Sequence, residues 1–438
     1  MSPLSTVPIP GTRDFFPEEM SVRQQVFERL YRVVESFGYL RYDAPMVEPF
    51  ELYAAKSGSD LVNQQVYRFT DRGERDLAIR PEMTPSVARM IAARAGQLVL
   101  PARWYSHPNL WRYERKQRGR YREHWQVNVD LFGTESWEAE AEILEILAEM
   151  MFAVGAKTSD FLLRVSDRQL VVNVLQQQVG LDPQQVAGAF GVLDAIEKVG
   201  PEETAAHLAK LGLSQAQADR TIQLLTHGEQ FLEQAAPESL QQSNVARALS
   251  KLVTSQPVNV KFDPLIIRGF EYYTSSVFEV FDTNPENPRS IAGGGRYDNL
   301  VALFGKPRIP GIGFGMGDVT LIDFLQTHKI APAPQIAPEV QVMTPDESLR
   351  QRVKEIAASL RQEGLRVVTP LDSRKLGKLL ERAAKEGVRC VVIAGGDELA
   401  RGAVKLRDLG RSEEREIALT ALPVVIRETL ATPTQEKP

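Results

Sequence analysis

Cysteine is nearly absent from this 438-residue chain, which contains only Cys390. A single cysteine excludes a disulfide framework within the chain and a metal site built on several thiolates. Cys390 also lies in an apolar run, VRCVVIAG, with no second metal-binding side chain beside it. A cysteine-based metal site is thus excluded, and we predict no other dedicated metal site in the protein.

Long apolar runs are absent as well. No stretch approaches the roughly 18 consecutive apolar residues that a membrane-spanning helix needs. The first residues, MSPLSTVPIPGTRDFF, also lack the charged and then apolar pattern of a signal peptide. We expect a cytoplasmic protein that has no membrane partner.

The chain has no large excess of positive charge, since its formal net charge is −5. The distribution is uneven: residues 340–438 hold 18 Lys and Arg against 15 Asp and Glu, a net charge of +3, and residues 1–339 carry −8. The charge of the C-terminal part is therefore compatible with RNA binding. An excess of three positive charges does not by itself indicate such binding.

The length and the local patterns predict several domains. A helical pattern over 21–37 ends at Gly38, and strand-like runs such as VYRFTD, LAIRPE and HWQVNVDLFG follow and indicate an antiparallel sheet. Residues of about 168–256 are rich in Gln and Ala at helical spacing, which indicates a helical insertion. Residues 1–330 thus form the first predicted domain, with strands resuming after the insertion.

A proline-rich stretch at 331–339 is typical of a linker. Beyond it, strands and helices alternate over 340–438, which predicts a small α/β domain with a mainly parallel sheet. That domain lacks a G-x-G-x-x-G run between a strand and a helix, so an ordinary nucleotide-binding domain is disfavoured.

The segment 111–130, WRYERKQRGRYREHWQVNVD, has the pattern of a binding-site hairpin. It holds six basic residues between 112 and 122, with Gly119 at the predicted turn. Arg112 and Glu114 share one face of the first predicted strand, and Gln126 and Asp130 share one face of the second. Arginine forks fit phosphate, although cross-strand ion pairs are the more common role of such residues.

Two further clusters favour a small polar ligand. Glu82 and Thr84, in RPEMT, are predicted at the end of a strand, where a carboxylate and a hydroxyl can hold an ammonium group. A solvated strand end explains them equally well. Tyr272 and Tyr273, in RGFEYY, are predicted to lie in an otherwise apolar strand and need hydrogen-bond partners if buried, so they form either a polar core or the wall of a pocket.

Together these motifs resemble the histidyl-tRNA synthetases. The hairpin resembles motif 2 of class II aminoacyl-tRNA synthetases, and RGFEYY is the element most specific to the histidyl family. The likeness covers nearly the whole chain through GTRD (11–14), RPEMT (80–84), the hairpin, IIRGFEYYTSSVFE (266–279), GGGRYDNL (293–300) and PGIGFGMGD (310–318).

The resemblance implies an α+β fold: an antiparallel class II sheet flanked by helices, a helical insertion, and a separate α/β anticodon-binding domain. It implies ligation of L-histidine to tRNA(His) with ATP, and Mg²⁺ carried on the ATP phosphates. The segment Gly38–Pro49 matches the position of motif 1, which implies a homodimer.

The resemblance also assigns roles to individual residues. It places Arg268 and Arg112 in catalysis, both at the α-phosphate. It places Glu114 and Arg120 with these arginines around ATP. It places histidine against seven residues, namely Glu82, Met83, Thr84, Gln126, Asp130, Tyr272 and Tyr273.

One departure from the family pattern concerns motif 3. Thr320 stands where class II synthetases ordinarily have an arginine on the γ-phosphate, which indicates a divergent subtype. The sequence leaves Arg296 and Arg308 open as replacements. It also leaves open a second function, that of a non-catalytic paralogue that senses histidine as the regulatory subunit of ATP phosphoribosyltransferase. Such paralogues usually lack the C-terminal domain that this chain retains.

Overall fold

The computed structural model describes residues 4–55, 61–115, 117–193, 199–226, 228–255, 257–266, 272–371 and 375–432. The chain divides into two compact units, Met1–Ala333 and Pro334–Pro438. The border between them lies inside the stretch 331–339 that the sequence marks as a linker.

The first unit is built on strands that pair mainly antiparallel. In chain order they are β1 Leu40–Arg41, β2 Val47–Pro49, β3 Tyr67–Thr70, β4 Asp76–Ile79, β5 Ala102–Ser106, β6 Asn109–Trp111, β7 Glu123–Phe132, β8 Phe161–Asp167, β9 Val260–Phe262, β10 Ser276–Asp282, β11 Ser290–Arg296 and β12 Gly311–Gly317.

Within the described residues, nine of these strands form the main sheet, in the order β1-β5-β7-β12-β11-β10-β8-β9, with β6 paired to β7. The central pairings are antiparallel, as predicted, whereas the outermost ones, β1 with β5 and β8 with β9, are parallel. The remaining strands form a separate small sheet in the order β2-β4-β3.

Helices cover this sheet and form the insertion. Their bounds are Pro17–Ser36, Glu51–Ala54, Thr84–Ala93, Trp137–Ala153, Arg168–Val174, Pro183–Leu193, Pro201–Lys210, Gln215–Thr226, Gly228–Glu233, Pro237–Gln242, Asn244–Ser255 and Asp318–Thr327. Short π turns at Leu61–Gln65 and Leu175–Val179 and a 3₁₀ turn at Val301–Phe304 complete the unit.

The first helix shows how the sequence sets these bounds. Pro17 opens it, and the side chain of Glu19 accepts a 2.8 Å hydrogen bond from the backbone N–H of Phe16. Gly38, at φ +82°, donates its N–H to the carbonyl of Glu35 and ends the helical segment. Buried residues such as Leu30 and Val34 attach the helix to the main core.

The main core lies between the sheet and its helices and extends into the insertion. It contains Val129 of β7 and Leu147 of the helix Trp137–Ala153, and it continues through Leu208 and Leu225 of the insertion. The insertion therefore shares one hydrophobic core with the sheet and is not packed as a separate body.

The second unit is a five-stranded sheet, within the described residues, in the order β14-β13-β15-β16-β17. The strands are β13 Val340–Met343, β14 Val367–Val368, β15 Cys390–Ile393, β16 Ala403–Asp408 and β17 Glu413–Ala418. Helices Arg350–Gln362, Leu376–Lys385, Gly396–Ala400 and Leu422–Ala431 and the turn Glu347–Leu349 accompany them.

The prediction of a mainly parallel C-terminal sheet is only half right. The pairings of β13 are parallel, but those of β16 are antiparallel. The strand β17 was not predicted because its sequence, EEREIA, is charged and mostly exposed at the edge of the sheet. Burial raises the pKa of the Cys390 thiol to about 12, so this cysteine is an inert core residue.

No helix in the part of the chain that the structure describes combines the length and the apolar character that crossing a bilayer requires.

Candidate functional site

Two adjoining cavities lie over the centre of the main sheet. The larger has a volume of about 340 Å³ and lies between the hairpin that follows β6 and the strands β11 and β12. The smaller has a volume of about 80 Å³. Four residues line both cavities and form their common wall: Arg112, Gln126, Gly293 and Gly315.

Glycines of β12 make room for polar side chains above the sheet. A Cβ atom on Gly315 would lie 2.4 Å from the Cδ atom of Gln126. A Cβ atom on Gly313 would lie 2.6 Å from the hydroxyl of Tyr297. The alternating glycines of GIGFGMG therefore leave the space that these two side chains occupy.

Glu82 and Thr84 line the smaller cavity together with Tyr272. The hydroxyl of Tyr272 donates a 2.8 Å hydrogen bond to Oε2 of Glu82. Burial, and then the charge of Glu82, raises the pKa of Tyr272 well above its ordinary value. This tyrosine therefore stays protonated beside the carboxylate.

The local structure around Glu82 differs from the prediction. The strand β4 ends at Ile79, and the helix Thr84–Ala93 begins at Thr84. The carboxylate and the hydroxyl are thus brought together by the connection into a helix and not by strand alternation. Met83, between them, is fully buried and is not among the described residues that line the cavity.

Asp130 lies on β7, beneath the surface of the smaller cavity's wall, and is only 3% exposed. It accepts a hydrogen bond from the hydroxyl of Tyr297, which lines the smaller cavity, and one of 3.4 Å from Tyr42. Burial raises the pKa of the Asp130 carboxyl to about 7, although the two tyrosine hydroxyls oppose this effect. Among the described residues, Asp130 is connected to the cavity through Tyr297.

Three tyrosines form one wall of the smaller cavity. The ring of Tyr272 lies 4.9 Å from that of Tyr273 and 5.9 Å from that of Tyr297, measured between centroids. The first two lie in the connection before β10 and not in a strand as predicted. Tyr297 was not among the predicted site residues, although its position two residues after the glycine run of GGGRYD was the available signal.

Arg268, predicted to be catalytic, lies outside the described residues, as does the whole range 267–271. Its assignment to the α-phosphate therefore stays a prediction.

The hairpin carries the predicted phosphate-binding residues to the larger cavity. Arg112, Glu114 and Arg120 all line it. The side chain of Arg112 donates a 2.9 Å hydrogen bond from Nε to the carbonyl of Pro81, and Arg120 pairs with Glu114 at 3.3 Å. The strand β6 ends at Trp111, so Arg112 and Glu114 lie just beyond it and not on a strand face. Gly119, at φ +74°, is at the turn as predicted.

The opposite wall of the larger cavity is anchored by Asp318. Its carboxylate accepts hydrogen bonds from Arg13 at 2.9 Å, from Arg23 at 2.5 Å and from the backbone N–H of Trp125 at 3.0 Å. The segment GTRD thus supplies a side chain that fixes the start of the helix Asp318–Thr327. Sequence reasoning did not assign this role.

His124 also lines the larger cavity. Burial, and then the positive charge of Arg112, lowers the pKa of its imidazole to about 3. His124 is therefore neutral at physiological pH and adds a polar ring without adding charge.

Thr320 lines the larger cavity, but neither arginine that the sequence left open as its replacement does. Arg296 is buried and forms a 2.6 Å ion pair with Glu140. Arg308 pairs with Glu135 and, at 3.1 Å, with Asp298. Both arginines hold the surrounding structure together and are not phosphate ligands in this geometry.

The two cavities differ in chemistry. The larger one presents the guanidinium groups of Arg112 and Arg120, which suit a polyanion. The smaller one presents a carboxylate, a threonine hydroxyl and tyrosines, which suit an ammonium group and a ring with N–H donors. Within the described residues, no group of three or more His, Cys, Asp or Glu side chains is placed to hold a metal ion.

Two protein families match this chain. The family described as Histidyl-tRNA synthetase matches residues 11–319. The family described as Anticodon binding domain matches residues 339–429.

Individual relatives extend the match along the chain. A histidine–tRNA ligase of Leptospira biflexa is 40% identical over 433 residues, which cover 98% of this chain and 99% of the relative. The crystal structure of histidyl-tRNA synthetase from Nostoc sp. PCC 7120 matches with a TM-score of 0.80 at 26% identity, over 97% of this chain and 100% of that one.

A third match concerns the fold alone, because its identity is only 22%. It is a structure from Bacillus halodurans described as an ATP phosphoribosyltransferase regulatory subunit/histidyl-tRNA synthetase, with a TM-score of 0.71 over 90% of this chain and 99% of that one. The family match over most of the chain and the 40% identity of the full-length relative are the deciding observations. This chain belongs to the histidyl-tRNA synthetase family.

Proposed function

We propose that this protein is a histidine–tRNA ligase, which activates L-histidine with ATP and transfers it to the 3′ end of tRNA(His). The observation that carries the proposal is the common wall of the two cavities. Arg112 and Gln126 border both, so a carboxylate in one cavity and a phosphate in the other meet at this wall. Attack of that carboxylate on the α-phosphate forms the adenylate and releases pyrophosphate.

The smaller cavity is the proposed histidine site. Glu82 and Thr84 would hold the α-ammonium group, with Tyr272 fixing the carboxylate of Glu82. Gln126 would face the substrate carboxylate at the common wall. Tyr273 would pack beside the imidazole. A substrate without the ring N–H groups would leave buried polar atoms unpaired, which costs roughly 1–3 kcal/mol for each atom.

Asp130 contributes to the proposed histidine site through Tyr297. The carboxyl holds the tyrosine hydroxyl by a hydrogen bond, and this hydroxyl borders the cavity where the ring would lie. The resemblance assigned Asp130 a direct contact with histidine. The buried position supports an indirect one, in which Asp130 orients Tyr297.

The larger cavity is the proposed ATP site. Arg112 would hold the α-phosphate, and Glu114 and Arg120 would lie near the adenine and the other phosphates. Arg268 keeps its proposed role at the α-phosphate on the resemblance alone. The chemical task is to position two reactants in line and to stabilise the charge that develops on phosphorus, and arginines serve both purposes.

Mg²⁺ belongs to this proposal as a partner of the ATP phosphates. It would neutralise phosphate charge when bound. Glu114 and Glu279 are carboxylates that line the larger cavity, and Mg²⁺ commonly combines one or two carboxylates with substrate phosphates. No dedicated protein site is proposed for the metal.

The second unit is the proposed contact with the anticodon of tRNA(His). Its match to the anticodon-binding family and its small positive net charge support this role. The location that we propose is the cytoplasm, because that is where charged tRNA enters protein synthesis.

A homodimer is also part of the proposal. The segment that matches motif 1 leaves three large apolar side chains in water: Leu40 is 68% exposed, Met46 44% and Val47 38%. Burial of such neighbouring apolar groups in a symmetric interface would stabilise a dimer. Light scattering coupled to gel filtration would measure twice the chain mass of 48.9 kDa.

The second candidate function is that of a histidine-sensing regulatory subunit of ATP phosphoribosyltransferase. It shares the fold and the proposed histidine site, so histidine binding alone does not separate the two functions. The C-terminal unit favours the ligase, because it matches the anticodon-binding family, whereas the regulatory paralogues usually lack this domain.

The deciding experiment is exchange of radioactive pyrophosphate into ATP by the purified full-length chain. A ligase shows exchange that requires histidine and is not supported by the other amino acids. It also attaches histidine to a tRNA(His) transcript. Histidine binding without any exchange would refute the ligase and favour the regulatory subunit.

A further inference from the structure

The larger cavity has no arginine at position 320, where the class II synthetases ordinarily have one. Thr320 is at the start of the helix Asp318–Thr327, and its hydroxyl donates a 3.4 Å hydrogen bond to the carbonyl of Ile291. A threonine hydroxyl cannot neutralise a terminal phosphate. If the cavity binds ATP, the charge has to come from another part of the chain.

Arg289 is the arginine that reaches this place. It lies directly before β11 and lines the larger cavity. It also lines an adjoining cavity of about 250 Å³, together with Gly119 and Thr320. The side chain is half-buried, which sets it apart from a freely solvated surface arginine.

The packing shows how closely these residues approach each other. A Cβ atom on Gly119 would lie 2.6 Å from Cδ of Arg289 and 3.5 Å from Cγ2 of Thr320. The stem of Arg289 therefore crosses the tip of the hairpin next to the threonine. The bare backbone of Gly119 leaves the space for this crossing.

One hydrogen bond orients the guanidinium group. Its Nε donates to the carbonyl of Arg118 at 3.0 Å. Among the ion pairs formed within the described residues, none uses Arg289, in contrast to Arg120, which pairs with Glu114. A fork held at Nε presents its two terminal nitrogens together, which is the geometry that phosphate oxygens accept.

The electrostatic surroundings also indicate an anion site. Burial, and then the positive charge of Arg120, lowers the pKa of Arg289, and Glu114 opposes the effect. Two guanidinium groups near one cavity repel each other in the absence of an anion. A polyanion between them would relieve that repulsion.

We propose that Arg289 binds the terminal phosphates of ATP. It would thus take over the role of the motif 3 arginine, at whose position this chain has Thr320. The inference rests on the proposed ligase function and deepens it. The replacement comes from a different segment of the chain, because the tip of the hairpin and the residues before β11 meet beside Thr320. The competing explanation is that Arg289 only holds the tip of the hairpin in place through Arg118.

The test compares the wild type with Arg289→Ala, Arg289→Lys and the double variant Arg289→Ala with Thr320→Arg. Pyrophosphate exchange is measured as a function of ATP, pyrophosphate and histidine. Arg308→Ala is the matched control, since Arg308 is a half-exposed arginine that lines neither cavity.

Loss of a charge-assisted contact predicts that KM for ATP and for pyrophosphate rises roughly tenfold or more in Arg289→Ala. KM for histidine should remain that of the wild type. Arg289→Lys should recover part of the loss, and the added arginine at 320 should recover most of it, since it returns a guanidinium group to the same end of the cavity.

Two results would overturn the inference. One is an unchanged KM for ATP and pyrophosphate in Arg289→Ala. The other is an equal loss for ATP and histidine that Thr320→Arg fails to restore, which is the behaviour of a purely structural residue.

A wild type that shows no histidine-dependent exchange would refute the ligase function instead. In that case, calorimetric titration of ATP into the wild type and Arg289→Ala still decides the phosphate contact. Equal affinities would reject it, and weaker binding by the variant would support it.

Discussion

The hydroxyl of Tyr272 donates a 2.8 Å hydrogen bond to the carboxylate of Glu82, and the two side chains come from segments 190 residues apart. The bond fixes the orientation of a buried carboxylate before any substrate arrives. The carboxylate of Glu82 accepts one hydrogen bond from the tyrosine. A carboxylate can accept several, so Glu82 can also accept hydrogen bonds from an ammonium group. The tyrosine therefore prepares the proposed amino-acid site.

Glu82→Gln should weaken histidine binding, because the amide replaces a charged acceptor with a neutral group that also carries donors. We expect KM for histidine to rise roughly 10- to 100-fold, the range for a lost charge-assisted hydrogen bond. KM for ATP should change much less. Pyrophosphate exchange with varied histidine measures both values. Tyr272→Phe is the companion variant and should cause a smaller loss, because it keeps the carboxylate; a larger loss than that of Glu82→Gln would contradict this arrangement.

Asp130 should make the stability of the first unit depend on pH. Its folded-state pKa is raised to about 7 from the ordinary 3.8, so the folded protein holds a proton that the unfolded chain has released. This contribution to stability is present at low pH and is lost as pH rises from about 4 to about 7.

The isosteric variant Asp130→Asn cannot titrate and should lack that loss. The difference in unfolding free energy between wild type and variant should change by roughly 2–4 kcal/mol across the same range. Urea unfolding at pH 4.5 and at pH 8 measures it. Parallel pH profiles for the two proteins would show that Asp130 does not carry the proton.

Gly315→Ala should impair the use of both substrates. The new Cβ would lie 2.4 Å from Cδ of Gln126, so the glutamine must move away from the common wall. Separate titrations of histidine and ATP in the exchange assay should both show a loss. Gly96→Ala is the control, since a Cβ atom there meets nothing within 4 Å and Gly96 lines neither cavity. An increase in KM for only one of the two substrates would contradict the proposal that both substrates contact Gln126.

Arg296→Ala should destabilise the first unit without any direct effect on a substrate contact. Its removal leaves the carboxylate of Glu140, which is 1% exposed, without its cation. Such a loss costs roughly 3–5 kcal/mol. Denaturant unfolding measures the change, and Arg308→Ala, which removes a half-exposed pair, should cost roughly 0–1 kcal/mol. Equal effects of the two substitutions would contradict the structural role of Arg296.

The elements that local chemistry specifies were predictable from the sequence. Gly119 marks the turn of the hairpin, and Gly38 ends the first helical segment, because both positions need a positive φ. Glu82, Gln126 and Tyr272, which the resemblance assigned to one substrate, line the same cavity. Their assignment to particular substrate atoms stays a prediction.

The contacts that depend on distant segments were not predictable. Asp130 of β7 and Tyr297, which follows β11, meet across the intervening strand β12, where glycine at 313 leaves the space for their contact. Arg289 approaches Thr320 only through the packing of the hairpin tip. The sequence pattern around Arg289, NPRS, is that of an ordinary loop, and periodicity carries no information about where such a side chain ends.

The common wall limits which substitutions could make the protein resistant to an inhibitor. It consists of Arg112, Gln126, Gly293 and Gly315. A compound that spans both cavities would rest on residues that the two proposed substrates share. A substitution there that rejects the compound would also weaken the binding of both substrates. Resistance would have to arise at the outer ends of the cavities, where only one substrate is affected at a time.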